Sequence, residues 1–98
     1  MAKKAHTRAE QRHLDRVAAL GCVLCDALGQ GYQQAEVHHI REGQGMSQRA
    51  SHFLTIPVCP ACHRGPNGIH GDRTLLRLAK VDELDLLALT IQRLQEAV

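Results

Sequence analysis

The sequence predicts a small α+β domain, held together by a four-cysteine zinc site and flanked by a helix at each end of the chain. Three observations lead to this fold class. The chain of 98 residues has one Tyr, one Phe and no Trp, which limits the apolar surface that its core can bury. Two Cys-x-x-Cys pairs, at 22–25 and 59–62, offer the metal staple that small domains use instead. Apolar residues recur at helical spacing near both ends, around short extended stretches. We therefore expect residues 1–98 to form one domain.

The N-terminal part is predicted to consist of a basic tail at 1–7 and a helix at 8–20. Thr7 and Glu10 are spaced as in a capping box, which marks the first turn of a helix. Apolar residues follow at helical spacing until Gly21, which favours a C-terminal stop.

The central segment, 21–80, is predicted to be the zinc-stapled core. After the first cysteine pair, residues 35–40 and 53–58 are rich in β-favouring side chains and predict two strands, the second interrupted by Pro57. The second cysteine pair is expected to open a short helix, which the following glycines end. A further helix is predicted from Asp72, as its cap, to Lys80.

The C-terminal segment, 81–98, predicts an amphipathic helix capped by Asp82. Its apolar stripe is expected to pack on the domain's own core, although the same stripe is also compatible with a homodimer seam. The stripe consists of Leu84, Leu87, Ile91, Leu94 and Val98.

The four cysteines are the strongest chemical signal. Zn²⁺ favours four thiolates in a tetrahedron, and each Cys-x-x-Cys turn can direct two sulfurs at one point. A closed shell of this kind leaves no position for water, so the predicted zinc is structural. A redox role would account for one pair and leave the other without a function. The predicted ligands are Cys22, Cys25, Cys59 and Cys62.

The expected location and the charge of the chain say less about its function than the cysteines do. The chain shows no membrane-length apolar run and no signal-peptide pattern near its start, so we expect a cytoplasmic protein with no membrane partner. Reducing conditions there favour zinc over disulfides. The net charge of +2 does not indicate a nucleic-acid binder by itself, but residues 1–20 are basic and 81–98 are acidic.

Four of the seven histidines lie in sequence around the cysteine pairs, at positions 38, 39, 63 and 70. Neighbouring residues on a strand point to opposite faces, so His38 and His39 are expected to have different roles. One would hold a divalent cation and the other would remove a proton from water, as phosphodiester hydrolysis requires. A second structural zinc is the alternative. The remaining three, His6, His13 and His52, are interpreted as ordinary surface or core residues.

This order of motifs resembles that of the HNH, or ββα-metal, endonuclease superfamily. Its zinc-binding members carry Cys-x-x-Cys, then a strand ending in Asp-His or His-His, then Cys-x-x-Cys-His. Here the corresponding stretches are Gly21-Cys-Val-Leu-Cys25, Val37-His-His-Ile40, Ile56-Pro-Val-Cys-Pro-Ala-Cys-His-Arg-Gly65 and Gly68-Ile-His-Gly71. They are most similar to phage and prophage recombination-enhancement nucleases of the Ref type.

The resemblance implies a ββα-metal core in which His38, His63 and His70 bind the catalytic cation and His39 is the general base. The middle asparagine of the superfamily is missing. In its place the chain has His52-Phe-Leu-Thr-Ile56, which leaves His52 and Thr55 as alternatives for its orienting contact. Asn67 follows the fourth cysteine and is not equivalent.

The function expected from these features is metal-dependent hydrolysis of DNA phosphodiester bonds in phage recombination or DNA processing. The resemblance further implies double-stranded DNA as substrate, a recombinase filament as partner, and the cytoplasm of a bacterial host as location.

The identity of the catalytic metal stays open. Imidazole ligands suit Zn²⁺ or another transition metal, whereas Mg²⁺ prefers oxygen but serves many HNH enzymes, so Mg²⁺, Mn²⁺ and Zn²⁺ are all candidates. A noncatalytic zinc-finger module that binds DNA or protein is the rival hypothesis. Arginines expected to meet phosphates are Arg41, Arg49, Arg64 and Arg73.

Overall fold

The computed structural model describes residues 6–45 and 50–97. Within these ranges the predicted α+β class is confirmed, with a two-stranded sheet and five helices. In chain order the elements are α1 (Arg8–Ala19), α2 (Val23–Ala27), β1 (Glu36–His39), β2 (Thr55–Val58), α3 (Pro60–Arg64), α4 (Thr74–Ala79) and α5 (Glu83–Glu96).

The first and last helices begin where the sequence predicts. The Thr7 hydroxyl accepts from the Glu10 N–H and the Glu10 carboxylate accepts from the Thr7 N–H, which completes the predicted capping box. Asp82 caps α5 in the same reciprocal way with Asp85. Each box satisfies two backbone N–H groups that have no partner inside the helix.

The elements around the cysteines differ from the prediction in detail. The first cysteine pair opens α2, a helix that the sequence did not predict, because the Cys22 sulfur accepts from the Cys25 N–H at 3.3 Å. β2 begins at Thr55, two residues later than expected. Asp72 is not the cap of α4: the cap residue is Arg73, in a left-handed conformation with φ 65°, while Asp72 accepts from the Thr74 N–H.

The sheet lies at the centre of the packing. β1 and β2 are antiparallel, with His38 opposite Ile56 and His39 opposite Thr55. All four residues of β2 are buried, and helices α1, α2, α3 and α5 all pack against this strand. The core therefore fixes the backbone of the strand that pairs with the two histidines.

The buried face of α5 is only partly the predicted stripe. Leu87 and Leu94 are buried, but Leu84 and Ile91 are 51% and 44% exposed. Glu83, Leu86 and Thr90 complete the buried face instead, since they share the side of the helix that meets the core; Val98 lies outside the described residues. Because Leu87 and Leu94 are occupied within the chain, the structure gives no support to the dimer seam. None of the helices described is long and apolar enough to cross a membrane.

Candidate metal centres

The four cysteines meet at one buried point. The Cys25 sulfur lies 3.7 Å from that of Cys59 and 3.6 Å from that of Cys62, and Cys22 completes the group. Four sulfurs that bind Zn²⁺ at about 2.3 Å are roughly 3.8 Å apart in a tetrahedron, whereas a disulfide would bring two sulfurs to about 2.05 Å. The spacing fits a closed metal site and excludes disulfides.

Burial of these sulfurs opposes their joint ionisation unless a cation compensates for the charge. It raises the pKa of the Cys25 thiol to about 12, and it shifts the pKa of Cys62 in the same direction. Four buried thiolates would repel one another strongly without a compensating charge. A divalent ion supplies that charge and deprotonates its thiol ligands. The cysteines can therefore hold a structural metal that joins α2 to α3.

Three of the predicted histidines form a second group. The Nε2 atom of His63 lies 3.1 Å from Nδ1 of His38 and 3.1 Å from Nε2 of His70. Three nitrogens bound to one tetrahedral ion at about 2.0–2.1 Å would be roughly 3.3 Å apart, close to these separations. The strand β1, the helix α3 and the Gly-rich turn after it each supply one of them. This group could hold a metal ion.

Two carboxylates that the sequence analysis missed contact the outer nitrogens of this group. Glu83 Oε1 lies 2.6 Å from Nε2 of His38, and Glu36 Oε1 lies 2.7 Å from Nδ1 of His63. Histidine ligands of metals commonly donate their other N–H to a carboxylate in this manner. Glu36 lies two residues before His38 on the same strand, so the sequence could have indicated it as a partner of the histidines. Glu83 is 45 residues from His38 and resembles an ordinary acidic residue in the first turn of a helix.

The electrostatics favour a neutral imidazole at His38 and at His70 and an ionised carboxylate at Glu36. Burial lowers the pKa of His38, although the hydrogen bond to Glu83 opposes the shift. Burial and the charges of His63 and Arg41 lower the pKa of His70. Hydrogen bonds from Arg64 and then His63 lower the pKa of Glu36 to about 2. Neutral imidazole is the form that binds a metal ion.

His39 belongs to the same cleft but not to the ligand group. An open cleft of about 300 Å³ is lined by Val37, His38, His39, Arg41, His63 and His70. Nε2 of His39 lies 2.9 Å from Nδ1 of His52, which stands in the β1–β2 connection. His38 and His39 thus have different partners, as their opposite positions on a strand suggested. Of the two alternatives for the missing asparagine, His52 contacts His39 directly, whereas Thr55 is buried and its hydroxyl donates to the His52 carbonyl.

The predicted phosphate-binding arginines differ in their surroundings. Arg41 lines the cleft, and its backbone N–H donates to Glu83. The Arg73 guanidinium lies 3.8 Å from Glu83, and its charge acts on His70. Arg64 donates twice to Glu36 and is therefore engaged within the chain. Arg49 lies outside the described residues.

Fold and side chains together define a small α+β protein with two groups of potential metal ligands, one of buried sulfur and one of histidine beside an open cleft. A family model described as recombination enhancement, RecA-dependent nuclease matches residues 6–95. The chain belongs to this family. Its description supports a nuclease role in recombination, with a nucleic-acid substrate and a link to RecA. Neither the curated proteins nor the solved structures contain a match to the chain.

Proposed function

We propose that this protein is an HNH-type endonuclease that hydrolyses DNA phosphodiester bonds with a divalent cation during RecA-dependent recombination. The observation that carries the proposal is the convergence of three histidine nitrogens beside a fourth histidine in one open cleft. In the proposed ββα-metal core, β1 supplies His38 and His39, β2 pairs with β1, and α3 supplies His63.

The residues divide the reaction between them. When bound by His38, His63 and His70, the cation would neutralise charge on the phosphate and the leaving oxygen. His39 takes a proton from the water whose oxygen attacks phosphorus, as the bond from phosphorus to the leaving sugar oxygen breaks. Arg41 and Arg73 flank the ligand group and would meet flanking phosphates, which gives affinity rather than sequence choice.

The rival function, a noncatalytic zinc-finger module, accounts for the cysteines alone. It gives no reason for three histidines to converge beside a cleft of about 300 Å³, since a purely structural site is closed. It also leaves unexplained why two of these histidines carry carboxylate partners.

The proposal is tested with purified full-length protein on supercoiled plasmid, alone and paired with a RecA filament on homologous single-stranded DNA. We expect nicking with Mg²⁺, Mn²⁺ or Zn²⁺ and none after chelation. His63→Ala, purified in parallel, removes one ligand and should not cut, which also controls for contaminating nuclease. If the wild type cuts neither substrate with any of the three cations, or cuts no better than His63→Ala, the proposal is wrong.

His52 provides a separate prediction, because its contact orients His39. We expect His52→Ala to lower the cutting rate by about ten-fold or more while DNA affinity stays the same, since misplacing a catalytic group slows the chemical step without affecting binding. His52→Asn keeps an acceptor near the position of Nδ1 and should recover much of the rate. Single-turnover nicking and fluorescence anisotropy measure the two quantities. Equal rates for the wild type and His52→Ala would show that the contact is dispensable.

A further inference from the structure

Glu83 is the most deeply buried charged side chain among the described residues, with 1% of its surface exposed. It is the first residue of α5, outside the cysteine and histidine motifs. Burying a carboxylate costs free energy unless hydrogen bonds and opposite charge compensate for the lost water. A carboxylate in this position therefore needs an explanation beyond helix capping, which Asp82 and Asp85 already provide.

Three residues from two parts of the chain contact the carboxylate of Glu83. Oε1 lies 2.6 Å from Nε2 of His38 and accepts from the backbone N–H of Arg41 at 3.1 Å. Oε2 lies 3.8 Å from the guanidinium of Arg73. Because the Arg41 amide donates to Oε1 and the positive charge of Arg73 lies beside Oε2, the carboxylate acts as an acceptor. The hydrogen shared with His38 consequently belongs to the imidazole.

This assignment determines which nitrogen of His38 carries the lone pair. A neutral imidazole has one N–H and one lone pair, so a hydrogen on Nε2 leaves the lone pair on Nδ1. Nδ1 is the atom that lies 3.1 Å from Nε2 of His63, inside the group of potential ligands. The contact with Glu83 thus selects the tautomer that can bind a metal ion there.

We propose that Glu83 is a positioning residue for the metal ion: it holds His38 in the metal-binding tautomer and orientation, and it anchors Arg73 beside the same ion. The inference rests on the proposed function, since it takes His38, His63 and His70 as ligands of one cation. The negative charge beside His38 also strengthens the imidazole as an electron-pair donor. α5 is in this way connected to the chemistry although it supplies no ligand.

Glu36 provides the matched comparison. It contacts His63 as Glu83 contacts His38, but its side chain is 33% exposed, against 1% for Glu83, and Arg64 binds both of its oxygens. Solvent and Arg64 screen its charge, so its effect on the ion should be smaller. We therefore expect Glu83→Gln to lose more metal affinity than the chemically identical substitution Glu36→Gln.

The test measures cobalt binding to full-length protein whose cysteine site already holds Zn²⁺, by calorimetry and by the visible absorption of Co²⁺. Loss of such a carboxylate partner typically weakens metal binding by about 10–100-fold, which we expect for Glu83→Ala. Glu83→Gln, which keeps the shape and one acceptor oxygen, should lose about ten-fold, and Glu36→Gln less. Unchanged affinity and spectrum in folded Glu83→Gln, or a larger loss in Glu36→Gln, would overturn the inference.

A second measurement needs no variant. Long-range ¹H–¹⁵N correlation spectra of the zinc-loaded protein report the tautomer of each histidine, and we expect His38 to carry its hydrogen on Nε2. A hydrogen on Nδ1 would overturn the inference. If wild-type protein binds no second ion at all, the proposed function fails with it, whereas a bound ion that is indifferent to Glu83 contradicts the inference alone.

Discussion

Cys59→Ser is expected to leave the chain without a stable fold, and removal of zinc from the wild type should do the same. The four sulfurs join α2 to α3, and the segment between them contains both strands. A structural zinc contributes about 10–16 kcal/mol in small zinc domains, comparable to or larger than the total stability of about 5–15 kcal/mol of an ordinary protein. The domain has no large aromatic core to compensate.

Circular dichroism during thermal unfolding and elemental analysis for zinc measure this effect. Ala61→Ser is the matched control, since it introduces the same side chain at an exposed position between Cys59 and Cys62 and leaves all four sulfurs in place. We expect the control to retain zinc and a cooperative transition. A metal-free protein with the wild-type melting temperature would contradict a structural role for the site.

The starts of α1 and α5 and the two groups of potential metal ligands were predictable because short-range sequence patterns mark them. The capping boxes at Thr7 and Asp82 require two residues three positions apart, and a Cys-x-x-Cys turn directs its sulfurs wherever it occurs. The three predicted metal histidines also meet in space. Their closeness in sequence to the two cysteine pairs anticipates this, since His63 follows Cys62 directly.

The contacts that could not be predicted join distant segments. Glu83 reaches His38 because α5 packs on β2 and so brings its first turn to the end of β1, which no local pattern in the sequence shows. The apolar face of α5 was misassigned for a related reason. Leu86 and Leu84 have equal hydropathy, and only the direction from which the core approaches decides which of them is buried. His52 could be proposed only as one of two alternatives to the missing asparagine, because a single histidine in a loop carries no periodic signal.

His39→Ala is expected to reduce the rate of DNA cutting by about 10²–10⁴-fold, the usual contribution of a general base. The reason lies in the separation of roles within the cleft. His39 lines the cleft beside the ligand group but is not part of it, and its Nε2 atom contacts Nδ1 of His52. Removing its side chain should therefore leave both metal sites and the affinity for DNA intact while the chemical step slows.

Three measurements distinguish the loss of a general base from the loss of metal or DNA binding. Single-turnover nicking at saturating cation gives the rate, calorimetry gives the affinity of the second ion, and anisotropy gives DNA binding. His13→Ala is the matched control, because His13 is also partly buried. It lies on α1, and its ring centroid is 4.9 Å from that of Phe53. A rate loss confined to His39→Ala, with ion and DNA still bound, would assign the proton transfer to His39. Undiminished cutting would show that His39 has no part in the mechanism. Loss of cutting together with the second ion would make His39 a ligand instead, because a base acts on water whereas a ligand acts through the metal.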